Sequence, residues 1–135
     1  MNRICAERPR ILVVDDEEPI LFSLHDYLTA QGYQVDCARD IREATAQCLA
    51  TNYLAVIADL RLSGTGSMEG LEILQGVKER SPATATILLT AYGSPAVDRE
   101  ARRRKVDVIL SKPISLSTLA RVLSDLPKRQ EPPDQ

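Results

Sequence analysis

Along most of the chain, short apolar runs alternate with stretches of helical period. Ile11-Leu12-Val13-Val14, Leu54-Ala55-Val56-Ile57-Ala58 and Thr86-Ile87-Leu88-Leu89 are bounded by polar residues and read as buried strands, as does the run Val106-Asp107-Val108-Ile109-Leu110. A weaker strand fits Gln34–Ala38. Between them, Leu21, Leu24 and Leu28, with Ile20 and Tyr27, mark one face of a first helix that opens at Pro19 and stops at Gly32. The spacing predicts a second helix over about Ile41–Thr51. A third carries Leu71, Leu74 and Val77 and is closed by Pro82. A polar helix is expected near Pro95–Arg104. The last helix puts Leu116, Leu119, Ala120, Leu123 and Leu126 on one face, with Pro127 ending it.

Five strands alternating with five helices predict an α/β domain with parallel crossovers, because each strand–helix–strand unit returns the chain in the same direction. Its 135 residues suit one domain with a single core. Residues 1–9 read as a flexible leader, 10–126 as the folded domain, and 127–135 (PKRQEPPDQ) as a flexible tail or truncated linker.

Composition narrows the choice by exclusion. A net charge of −2 argues against a duplex-binding protein, which would carry a basic excess. No window approaches the length of a membrane span, and the N-terminus lacks the apolar core of a signal peptide. A cytoplasmic protein without nucleic-acid or membrane contacts is expected. Cys5, Cys37 and Cys48 are irregularly spaced, which disfavours metal ligation or a disulfide framework. Cys48 continues an apolar spacing with Ile41, Ala44 and Thr45, so a buried structural thiol is the better reading. His25, the sole histidine, lies off the apolar stripe of its helix and reads as solvated.

The candidate chemistry lies where the strands stop. The first run ends at Asp15-Asp16, the third strand at Asp59, the fourth at Thr90 and the fifth at Ser111-Lys112-Pro113. In an open parallel sheet, ligands bind outside the carboxyl ends of the strands. Adjacent strands lie about 5 Å apart, so Asp15, Asp16 and Asp59 are brought close together. Two unit charges about 4 Å apart repel by about 4 kcal/mol at an effective dielectric near 20. Carboxylate oxygens crowded in this way suit a hard cation such as Mg²⁺. Asp59, alone at its strand end, can attack an incoming phosphorus, while Asp15 and Asp16 hold the metal. Lys112 and Thr90 can meet the phosphoryl oxygens. Any one of these residues alone would more simply be a cap. Four strand ends converging on one chemistry argue for a site.

With those residues on the page, the chain resembles the receiver domain of bacterial two-component response regulators over roughly Arg10 to Leu126. The motifs are Asp15-Asp16, Asp59, Thr90-Ala91 and Lys112-Pro113, each after its strand. The resemblance implies a flavodoxin-like (βα)5 doubly wound sheet of five parallel strands in the order 2-1-3-4-5, a family order that is itself a standard example. It implies that Asp59 accepts a phosphoryl group from a sensor histidine kinase or phosphotransfer protein, with Thr90 and Lys112 contacting that group. It also implies Mg²⁺ held by the side chains of Asp16 and Asp59 and the backbone carbonyl of Arg61, with Asp15 acting through water. A cis Lys112–Pro113 bond, a downstream protein target and a phosphorylation-dependent homodimer are further implications. On this reading the protein is a signalling phosphoacceptor and not an enzyme in the ordinary sense, since it catalyses only its own phosphorylation and dephosphorylation.

Three features depart from the family pattern. Ser63 stands where a proline is usual, and the glycine usual about eight residues after the acceptor comes three residues late, at Gly70. The stretch Ser63–Gly70 reads as a lengthened loop, and its glycines match no phosphate-cradling motif. Ile109 occupies a position where the family commonly has an aromatic switch residue. Tyr92 is placed either to cover the site, to join the output face, or to be an ordinary half-buried loop residue. Last, Arg99-Glu-Ala-Arg-Arg-Arg-Lys105 is a basic run in which Lys105-Val106 replaces the usual glycine and alanine. It reads as a solvated face or as a surface for an acidic protein partner.

The competing reading is a pseudo-receiver, a protein-binding module that acts without phosphorylation. Ile109 and the altered loop favour it mildly, and the intact acidic pair, Thr90 and Lys112 oppose it. A haloacid-dehalogenase-type phosphatase also uses an aspartyl nucleophile, but Asp59-Leu60-Arg61 lacks that family's second acid.

Overall fold

The computed structural model describes residues 8–62, 68–91 and 93–126. The expected tail, most of the expected leader, Tyr92 and residues 63–67 of the expected long loop lie outside the described residues.

Ten elements alternate as the apolar pattern predicts: β1 (Arg10–Val14), α1 (Glu18–Ala30), β2 (Gln34–Ala38), α2 (Ile41–Ala50), β3 (Ala55–Asp59), α3 (Glu69–Arg80), β4 (Ala85–Thr90), α4 (Pro95–Arg103), β5 (Val108–Ser111) and α5 (Leu116–Ser124). The strands form one sheet in the order β2-β1-β3-β4-β5, and every neighbouring pair is parallel.

Period two divides the core into two layers. Leu12, Val14, Val56, Ala58 and Leu88 face one side of the sheet and pack with Ala44, Leu71, Leu74, Val77, Val97 and Ala101 of α2, α3 and α4. The alternate residues Ile11, Val13, Ala55, Ile57, Ile87 and Leu89 face the other side and meet Leu21, Leu24, Leu28, Leu119 and Leu123 of α1 and α5. Both faces of the sheet are covered, which is why its strands read as continuous apolar runs instead of alternating ones. Cys48 packs half-buried against the first layer, and His25 is exposed.

Local chemistry sets the helix ends. Asp40, Ser94 and Ser115 each accept a hydrogen bond from the backbone N–H three residues on, capping α2, α4 and α5. At the end of α1, Gly32 adopts φ +104° and donates its N–H to the Thr29 carbonyl, while the Tyr33 N–H reaches Leu28. This is a Schellman closure, in which the left-handed residue is normally glycine. The end of α4 repeats it with Lys105 at φ 67°: Lys105 N–H reaches Arg102 and Val106 N–H reaches Ala101.

That closure corrects the expected start of the fifth strand. Val106 is consumed by the helix cap, so β5 begins at Val108. Asp107 bridges the gap: its N–H donates to the Thr86 carbonyl and hydroxyl, and its carboxylate accepts from the Thr86 N–H and hydroxyl. Lys78 Nζ lies 2.7 Å from the same carboxylate and also donates to the carbonyls of Pro82 and Thr84.

Candidate functional site

The carboxyl ends of β1, β3, β4 and β5 meet at one edge of the sheet, and parallel pairing brings their terminal residues level. Val14 lies opposite Ala58, Asp59 opposite Leu89, and Thr90 opposite Ser111. Asp15 therefore emerges beside Asp59, and Lys112 beside both. Lys112 Nζ stands 3.0 Å from Asp59 Oδ1 and 3.4 Å from Asp15 Oδ2. The other oxygen of Asp15 accepts the Glu17 N–H at 2.9 Å. Asp15 is wholly buried and Asp59 nearly so, whereas Asp16 and Glu17 face solvent.

Electrostatics follow from that packing. Burial pushes both the Asp15 and Asp59 carboxyls above their ordinary range. The contacts with Lys112 pull against this, while Asp15 also feels Asp59, and Asp59 feels Asp16 and Glu17. Burial works against the Lys112 ammonium, but bonding to Asp59 and the charge of Asp15 outweigh it and hold the lysine above its usual value.

Four carboxylates thus crowd round one contacting ammonium. Asp15, Asp16 and Glu17 can each bring an oxygen within 4.8 Å of the others. This all-oxygen, charge-deficient cluster fits a hard divalent cation. Glu17 is the member that reading the sequence overlooked. The run Asp15-Asp16-Glu17 was the available signal, but the order of residues does not say that the third side chain folds back beside the first two.

A cleft of about 220 Å³ opens over these groups, lined by Glu17, Asp59, Arg61, Thr90, Ala91 and Lys112. The structure brings Asp15, Asp16, Asp59, Arg61, Thr90 and Lys112 to this one place. Thr90 is buried at the end of β4. Its carbonyl accepts the Lys112 N–H at 2.9 Å, and the Lys112–Pro113 peptide bond is cis. Gly70 packs against the main chain of Asp59, and its N–H donates to the Leu60 carbonyl at 3.0 Å. Ile109 lies on the α4 side of the sheet, partly buried against the first core layer.

Residues 11–124 match the family model of the response regulator receiver domain. The chain belongs to that family. Among curated relatives it is 37% identical over 106 residues to the transcriptional regulatory protein ResD of Bacillus subtilis, an alignment covering 78% of this chain and 42% of ResD. This chain thus spans less than half of that regulator. Among solved structures it is similar to a CheY-like receiver domain protein of Methanospirillum hungatei, with a TM-score of 0.83 and 26% identity over 92% of this chain and 98% of the other. A second similar structure is a response regulator from Burkholderia pseudomallei with a phosphorylated aspartic acid, a calcium ion and citrate. There the TM-score is 0.78 and the identity 27%, over 85% of this chain and 66% of that one. The receiver fold and its strand order, expected from the resemblance, are those observed. Among the described residues, no helix is long and apolar enough to cross a membrane.

Proposed function

We propose that this receiver is a phosphoacceptor in which Asp59 takes a phosphoryl group from the phosphohistidine of a sensor kinase or phosphotransfer protein. The observation that carries the proposal is the contact of one lysine, Lys112, with two buried carboxylates at the mouth of a small cleft. That ammonium is shared between Asp15 and Asp59 and lines the cleft where a phosphoryl group would enter. The related regulator with a phosphorylated aspartic acid supports the same assignment.

A carboxylate oxygen of Asp59 forms the new P–O bond as the P–N bond breaks, and the departing imidazole nitrogen keeps the electron pair and takes up a proton. Lys112 Nζ is placed to follow the charge from Asp59 onto the phosphoryl oxygens. The Thr90 hydroxyl supplies a hydrogen bond from the neighbouring strand. Mg²⁺ would be held by Asp16, Asp59 and the Arg61 carbonyl, with Asp15 behind them and Glu17 at the rim. When bound, it supplies the positive charge that four carboxylates and a phosphoryl group require.

A cytoplasmic location, a downstream protein target and a homodimer formed on phosphorylation complete the proposal. The pseudo-receiver alternative gains nothing from the site, since no reacting group is missing.

Acetyl phosphate labelling or beryllofluoride binding in the presence of Mg²⁺ tests it. Wild-type protein should respond and Asp59→Ala should not. An equal response in the alanine variant would refute the assignment.

A further inference from the structure

We propose that the groove between α1 and the outer strand β2 docks a basic protein segment that brings an arginine and a bulky aliphatic anchor to Phe22. Phe22 is the chain's sole phenylalanine, and it stands 70% exposed on the second turn of α1. A large ring scattered alone on a surface would call for no explanation. Phe22 instead lines a groove of about 350 Å³ together with Glu18, Leu21, His25, Cys37, Arg39 and Glu43.

The groove follows from the way α1 lies on the sheet. Leu21, Leu24 and Leu28 are its buried face. With about 100° between successive residues, Glu18, Phe22 and His25 fall on one flank of the helix, and Ile20 and Tyr27 on the other. The Phe22 flank is the one beside β2, and no described strand lies beyond β2 to cover it. Leu21 and the half-buried Cys37 supply an apolar floor. Burial and the charge of Asp36 push the Cys37 thiol up, so that floor carries no charge.

Charge selects the occupant. Asp16 and Glu17 belong to the acidic site, and Asp36 pairs with Arg10. The remaining exposed charges on α1, the turn after β2 and the first turn of α2 are Glu18, Asp26, Asp40 and Glu43 against Arg39 and Arg42. Arg39 is already engaged, since its guanidinium pairs with Glu18 and its N–H donates to Glu43 at 2.8 Å. Both partners of that ion pair are exposed, so it contributes little and yields to a competing cation. A basic segment would be steered to this acidic flank. Asp26 stands one turn beyond Phe22, so an incoming guanidinium can stack on the ring while pairing with a carboxylate, which a lysine matches less well. None of the residues lining the groove lines the cleft over Asp59, so the inference does not rest on the phosphoacceptor function.

The test is amide chemical-shift mapping on the full chain with four short synthetic peptides. They are Arg-rich with one Leu, the same with Ala for Leu, the same with Lys for each Arg, and the same with Glu for each Arg. The Arg–Leu peptide should shift Phe22, His25, Cys37 and Arg39, and added salt should weaken it. The Ala peptide and the variants Phe22→Ala and Asp26→Lys should each weaken binding about tenfold or more, as loss of an anchor does. The Lys peptide should bind several-fold more weakly, and the Glu peptide should not bind. Asp59→Ala should bind the Arg–Leu peptide as wild type does. Phe22→Ala should keep the wild-type melting temperature and acetyl phosphate labelling, because the ring is not part of the core.

Shifts clustered elsewhere, equal binding of the Ala, Lys or Glu peptide, or no binding at all would overturn the proposal. A lower melting temperature or slower labelling in Phe22→Ala would instead make the ring a structural prop. Self-association broken by Phe22→Ala would give the groove to a second copy of the chain. Binding to phosphatidylcholine vesicles that is lost in the same variant would give it to a membrane.

Discussion

Gly70 lies so close to the main chain of Asp59 that a Cβ on Gly70 would sit 2.1 Å from the Asp59 carbonyl oxygen. The first turn of α3 thereby braces Asp59 from behind. Gly70→Ala must move either that turn or Asp59 itself. We expect it to cost about 1–3 kcal/mol of stability, as overpacking does, and to slow acetyl phosphate labelling. Urea denaturation and labelling kinetics together check this, and a neutral result in both would contradict the packing.

Lys105 occupies the left-handed position that Gly32 fills at the end of α1. A side chain in that conformation costs about 1–2 kcal/mol, part of which glycine gives back through its freer unfolded state. Lys105→Gly should therefore stabilise the protein by about 0.5–1 kcal/mol. Gly32→Ala should destabilise it by a similar amount. Thermal melts of the two variants would show shifts of opposite sign.

Asp107 gives a pH-dependent prediction. Burial raises its carboxyl, but Lys78, the Thr86 N–H and the Thr86 hydroxyl outweigh burial and hold it below its ordinary value. A carboxyl depressed on folding stabilises the protein above its unfolded pKa, and the contribution fades as pH falls through the folded value. Asp107→Asn should cost about 2 kcal/mol at neutral pH, the range for a bond to a charged group. The gap between variant and wild type should close below about pH 4. Stability curves across pH for both proteins test the sign.

Lys112 and the acidic rim separate charge from metal. Lys112→Ala should reduce acetyl phosphate labelling by about 100-fold or more, the usual loss for a group that stabilises developing charge. Asp16→Asn should weaken Mg²⁺ binding at least about tenfold. Glu17→Gln should weaken it less, in keeping with the smaller effect of groups outside the coordination shell. Mg²⁺ titrations followed by amide shifts give the ranking, and EDTA should abolish labelling.

Much of this was legible before any coordinates. Runs such as Ile11–Val14 and Ile87–Leu89 are strands because both of their faces are buried, and the leucines of α1 and α5 keep a period that only a helix can bury. The site residues were legible because parallel strands deliver their ends to one edge. The start of β5 was not, because Val106 looks like a strand residue yet closes α4. Glu17 was missed because its place in the acidic cluster depends on the turn after Asp15.

The order of residues alone determined the alternation of strands and helices and the sheet edge on which the candidate residues Asp15, Asp16, Asp59, Thr90 and Lys112 converge. Patterns of burial and strand direction are carried locally along the chain, so they survive in the sequence. Only the tertiary structure decided that Lys112 bridges Asp15 and Asp59, that Gly70 braces Asp59, and that Arg102 and Ile109 line an open groove. Those are distances between residues far apart in the chain, and they exist only once the layers have packed.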